Sequence, residues 1–160
     1  MASSELLGIY LNDHLAGAST GTELAKKISE ENAGTRYGSV LAELATEIEQ
    51  DRATLEELMD RVGIERSTLK QAAGWLTEKL TRVQFNDSLT GSADLTRLLE
   101  FETLLLGVTG KQALWRALRQ VSDRYPELTA TDFDALAKRA EDQRSKLEEL
   151  RLDAASNALC

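Results

Sequence analysis

Apolar residues recur at steps of three and four along most of this chain, the spacing of amphipathic α-helices. The pattern predicts a first helix from about Ser4 to Asn32, with Ser4 as N-cap and Gly34 as its stop. Its apolar stripe runs Leu7, Tyr10, His14, Gly17, Gly21, Leu24, Ile28. A second helix is predicted from about Arg36 to Val62, ended by Gly63. Its stripe is Tyr37, Leu41, Leu44, Ile48, Asp51, Leu55, Leu58, Val62. So short a linker makes these two helices antiparallel neighbours. A shorter helix follows from about Ser67 to Arg82, with Leu69, Ala72, Ala73, Leu76 and Leu80 on its apolar face, and Asn86–Ser92 reads as a loop. The next long helix runs from about Ala93, capped by Ser92, to Arg124. It stops before Pro126, whose ring disfavours helix at Tyr125. The last helix spans about Asp132 to Ala158, with stripe Phe133, Leu136, Ala140, Gln143, Leu147, Leu150, Ala154. Thr129 with Asp132, or Thr131 with Asp134, offers a start resembling a capping box.

Composition sharpens this picture. The chain has 160 residues, the size of one domain, read as a single helical-bundle domain over 1–160. Hydrophobic residues make up 42% and aromatic residues 5%, and Pro126 is the one proline, so long helices are permitted and an all-α class is expected. Glu23–Lys27, Glu57–Arg61, Glu78–Arg82 and Asp142–Lys146 are acid-first i,i+4 pairs expected on solvated faces. The net charge is −8 with no basic stripe, which argues against nucleic acid and against anionic membrane surfaces. No apolar run of about 18 residues occurs, and the start MASSELLGIY lacks the basic and apolar regions of a signal peptide. The one cysteine, Cys160, is the last residue and cannot form an intrachain disulfide, so a cytoplasmic location is expected.

The order of elements then suggests a topology. Two antiparallel pairs are joined by roughly 30 residues, Gly63 to Ser92, that include a helix of roughly 16. At about 1.5 Å per residue that helix covers about 24 Å, most of a bundle's length. Long helix, long helix, crossover with a helix, long helix, long helix resembles the ferritin-like superfamily, and LLGIYLNDHLAGASTGTELAKKI is similar to small bacterial members of that class. The resemblance implies a left-handed, ferritin-like four-helix bundle with a fifth, shorter crossover helix. It also implies a metal site built from two glutamates and two Glu-x-x-His motifs. The chain contains no Glu-x-x-His and one histidine, His14, so no metal ligand carries over.

The remaining candidates for chemistry are few. His14 on an apolar stripe must be hydrogen-bonded, paired or liganded, since a bare buried polar group costs about 1–3 kcal/mol. The expected arrangement is a core histidine bonded to Asp51 or a backbone carbonyl. Pairing the first two helices about their short loop puts position 14 near 53, and a last helix parallel to the first brings Gln143 to the same height. His14, Asp51 and Gln143 thus make one expected polar layer. Glu43, Glu47 and Asp51, spaced by four, read as a solvated acidic edge. A rebuilt iron or manganese site would use His14, Glu47, Asp51 and Glu102. Gly17 and Gly21, with Ala18, Ser19 and Thr20 nearby, suggest close approach of helices. Gly107 and Gly110 suggest the same, or room for a buried polar group. Trp75 and Trp115 are expected packing anchors. Serine–histidine catalysis and phosphate-binding glycine loops have no signature here.

The leading functional expectation is a non-enzymatic ferritin-like bundle that self-associates as a homo-oligomer, a dimer first, with no cofactor. The alternatives are the iron or manganese site above, with oxidative-stress chemistry, and a module holding a small apolar ligand or a partner helix between its helices.

Overall fold

A computed structural model describes residues 3–67, 78–84 and 90–160. Those residues are helical wherever they are regular, and no strand occurs among them. Four long helices dominate: α1 (Ser3–Glu31), α2 (Gly38–Arg61), α3 (Ala93–Val121) and α4 (Phe133–Leu159). Short 3-10 turns, Ser122–Arg124 and Pro126–Leu128, join the last two. Residues 78–84 are helical, as expected, and Leu80 packs half-buried on the core. The rest of the anticipated short helix, with Trp75, and most of the Asn86–Ser92 loop lie outside the described residues.

Local chemistry explains the boundaries. Gly34 and Gly63 adopt φ of 79° and 69°, the left-handed conformation that ends α1 and α2. Gly38 serves a different purpose: a Cβ there would meet the Asn32 carbonyl oxygen at 2.9 Å, so the tight α1–α2 turn requires glycine. Ser92 caps α3 by accepting a bond from the Leu95 amide. Tyr125 is extended (φ −129°, ψ 94°), as the following Pro126 demands. The start of α4 differs from expectation. Asp132 is itself the N-cap, accepting from the Ala135 amide, and no capping box forms.

Cross-helix bonds fix the directions. Lys27 reaches Glu100 and Arg97 reaches Asn32, while Tyr125 reaches Ser3, so α1 and α3 are antiparallel. Gln112–Glu141 and Arg151–Glu102 make α3 and α4 antiparallel. Tyr37–Asp153 and Arg61–Thr131 do the same for α2 and α4. The consequence is that α2 and α3 run parallel. Arg61 and Ala93 therefore sit at opposite ends of the bundle, and α4 runs parallel to α1.

The core joins Leu11, Ile28, Leu44, Leu58, Phe101, Leu114, Trp115, Phe133 and Leu147, all essentially inaccessible to solvent. Burying each such side chain contributes about 1.5–3 kcal/mol. The stripes expected for the second and last helices match what is buried. The first matches only in part. Its buried residues are Leu7, Leu11, Leu15, Thr22, Leu24, Ala25 and Ile28, so the expected Leu7, Leu24 and Ile28 are buried while Tyr10, His14, Gly17 and Gly21 lie half-buried on its flank. No helix among the described residues is long and apolar enough to cross a membrane.

Candidate functional site

The displaced flank of α1 leads to the site. Residues 14, 17 and 21 of α1 and residues 107, 111 and 115 of α3 each follow helical spacing, so each set shares one face. Those two faces, with Ile48, Asp51, Arg52 and Leu55 of α2, line one cavity of about 100 Å³. Leu104, Val108 and Leu114 give it apolar walls.

Four glycines border it: Gly17, Gly21, Gly107 and Gly110. A Cβ built at any of them meets no described atom within 4 Å. Among the described residues the expectation of close helix approach is therefore corrected. These glycines are not squeezed between backbones. They are half-buried and leave side-chain volume empty beside the core. Helix-interior glycine costs up to about 1 kcal/mol relative to alanine, so four of them keep this space open against their own stability.

Two polar groups on the cavity have no protein partner among the described residues. Trp115 is 1% exposed, its ring lies 6.4 Å from that of Phe133, and its Nε1–H finds no acceptor. An indole N–H can only donate, and burying it unsatisfied costs about 1–3 kcal/mol. His14 is half-buried beside Tyr10, edge to face at 4.6 Å, and makes no hydrogen bond or ion pair with described residues. Burial pulls its pKa below the ordinary value, with nearby Asp13 acting weakly the other way, so the imidazole is held neutral.

Opposite these groups stands a saturated polar layer. Asp51 is 2% exposed and fully engaged. Its Oδ2 accepts from Lys111 Nζ at 2.5 Å and from Gln143 Nε2 at 3.1 Å, and Arg139 pairs with its other oxygen. Lys111 also donates to Gln143 Oε1 at 2.5 Å, and Gln143 donates to Glu47 at 3.0 Å. Burial pushes the Lys111 pKa down, and Asp51 pulls it part of the way back.

The anticipated layer of His14, Asp51 and Gln143 is thus realised in part. Asp51 and Gln143 meet, while His14 bonds neither, and Lys111 and Arg139 take its place. The acid row on α2 is a solvated edge only at Glu43, which is exposed. Glu43 pairs with Lys146 at 2.9 Å, Glu47 bonds Gln143, and Asp51 is buried. Cations and amides of α3 and α4 answer those acids, which a single helix's sequence does not display.

As for the metal set, Glu102 is held by Arg151 at 3.3 Å on the α3–α4 seam. Asp51 is committed to two cations. No group of three or more histidine, cysteine, aspartate or glutamate side chains among the described residues is placed to hold a metal ion. His14, Glu47, Asp51 and Glu102 therefore do not converge.

Lys111 and the donor of Trp115 were missed in the sequence. The spacing Gly107, Lys111, Trp115 was the available signal, since steps of four put all three on one face. No family model, curated protein or solved structure matches this chain.

Proposed function

We propose that this chain is a non-enzymatic binding bundle that takes a small, largely apolar molecule into the cavity between α1, α2 and α3. The observation that carries the reading is the space left by the described residues at Gly17, Gly21, Gly107 and Gly110, half-buried beside the core. Pockets for small molecules are concave and mostly apolar, with a few polar groups placed to orient the ligand. Trp115 and His14 supply such groups. The parallel run of α2 and α3, which sends the chain from one end of the bundle to the other, supports a ferritin-like connectivity for the scaffold.

Filling the space tests the reading. In Gly21→Ala/Gly107→Ala each new methyl enters room rather than a neighbour. Replacing helical glycine by alanine is expected to stabilise by up to about 1 kcal/mol per site, seen as a Tm raised by a few degrees. The same variant is expected to lose binding of a single-ring hydrocarbon probe such as benzene, followed by NMR. A lowered Tm would mean that the glycine faces do pack closely, and the cavity reading would fall.

A further inference from the structure

We infer that the ligand is a neutral molecule, about one five- or six-membered ring in size, that presents a single hydrogen-bond acceptor, a carbonyl oxygen above all, to Trp115. The inference rests on the cavity reading and adds to it the chemistry of the occupant.

Size comes from the space itself. A cavity of about 150 Å³ holds benzene in a packed helical protein, and this one encloses about 100 Å³. The smaller space limits the ligand to one small ring, with any substituent directed to the mouth. Its faces would meet backbone at the four glycines and branched side chains at Ile48, Leu104 and Val108.

The acceptor follows from Trp115. Trp115 lines this cavity, and its buried Nε1–H meets no acceptor among the described residues. An indole N–H cannot accept, so a second donor at this point would leave both groups unsatisfied. Buried donors are nearly always answered, and a ligand oxygen placed here answers this one.

Neutrality follows from the charges around the space. Asp13, Asp51, Arg52 and Lys111 line it, two of each sign. Both cations are already matched, Lys111 by Asp51 at 2.5 Å and Arg52 by Glu56 at 3.1 Å. A ligand carboxylate would find no free cation among the described lining residues and would face two aspartates. A ligand ammonium would find Asp51 saturated by Lys111, Arg139 and Gln143, with only the exposed Asp13 left to it, and would leave the Trp115 donor unanswered.

Three probes separate these points on the full chain: cyclopentanone, methylcyclopentane and cyclopentanecarboxylate. Binding is followed by titration calorimetry and by the indole N–H resonances, of which the chain has two. The Trp115 signal is the one absent from Trp115→Phe. Cyclopentanone is expected to bind and to move that resonance downfield. Trp115→Phe is expected to weaken cyclopentanone about ten-fold, the loss of one buried hydrogen bond, without weakening methylcyclopentane. Were Trp115→Phe to fail to fold, the wild-type resonance shift decides alone. Equal binding of ketone and hydrocarbon, with an unmoved indole resonance, overturns the acceptor and leaves the cavity reading standing. Tightest binding of the carboxylate overturns neutrality. Binding of none of the three overturns both the inference and the reading beneath it.

Discussion

His14 is the only histidine, so its titration is read without interference. Burial favours the neutral imidazole in the folded chain, while the unfolded chain titrates near the ordinary value of about 6.5. Between the lowered folded pKa and about 6.5 the unfolded state binds more protons, so stability rises with pH across that window and falls on acidification. Urea midpoints measured from pH 7 down to pH 5 are expected to drop more steeply in wild type than in His14→Gln. Equal slopes would mean that the imidazole is as well solvated folded as unfolded. The same residue scale shows where local spacing misleads. Of the four anticipated i,i+4 pairs, Glu78–Arg82 forms at 2.6 Å. Lys27 instead joins Glu31 and Glu100, Arg61 joins Thr131, and Lys146 joins Glu43. Long flexible cations take whichever acceptor the neighbouring helix brings near, and the gain from a local pair is too small to hold them.

Between elements, Asp51 is the tie that gathers α2, α3 and α4. It satisfies Lys111 and Arg139 together, and removing it leaves a buried ammonium and a partly buried guanidinium without their counter-charge. Asp51→Ala is expected to destabilise by about 3 kcal/mol, since breaking a buried pair by deleting one partner costs about 3–5 kcal/mol and Arg139 is one-third exposed. Asp134→Ala removes a solvated partner of Arg119 at 3.5 Å and is expected to cost under about 1 kcal/mol. Denaturant unfolding of both variants checks the contrast, and similar losses would mean that the layer around Asp51 is far wetter than its burial indicates. The stripes that predicted α2 and α4 did so because each has one dominant neighbour-facing side. The middle of the α1 stripe was misplaced because small residues blur its edge: Gly17 and Gly21 read as core by spacing, yet they border open space.

At the scale of the molecule the parallel course of α2 and α3 makes a distance prediction. α2 has 24 residues, which at about 1.5 Å each separates its ends by about 36 Å. Spin labels at Asp60→Cys and Asp94→Cys, both exposed and with Cys160→Ser to remove the native thiol, are expected to lie roughly 35–45 Å apart by dipolar spectroscopy. An up-down-up-down bundle would put them at one end, within roughly 10–20 Å given helix spacings of about 10 Å.

Sequence by itself determined the helical class and several helix ends, because those rest on forces acting within one turn, although Ser4, expected as an N-cap, lies inside α1. Glycine at positive φ stops α1 and α2, serine and aspartate oxygens cap α3 and α4, and Pro126 forces Tyr125 out of the helix. The candidate site was legible only in fragments: a histidine on a stripe, two glycine pairs and an acid at position 51. Tertiary structure decided the rest. Whether facing glycines touch or stand apart depends on how α1 and α3 are rotated and spaced. Whether Asp51 meets His14 or Lys111 depends on registers between helices far apart in sequence. Whether the Trp115 N–H finds an acceptor depends on every backbone and side chain that surrounds it. Such relations are set by the packing of the whole core, and no window of local sequence contains them.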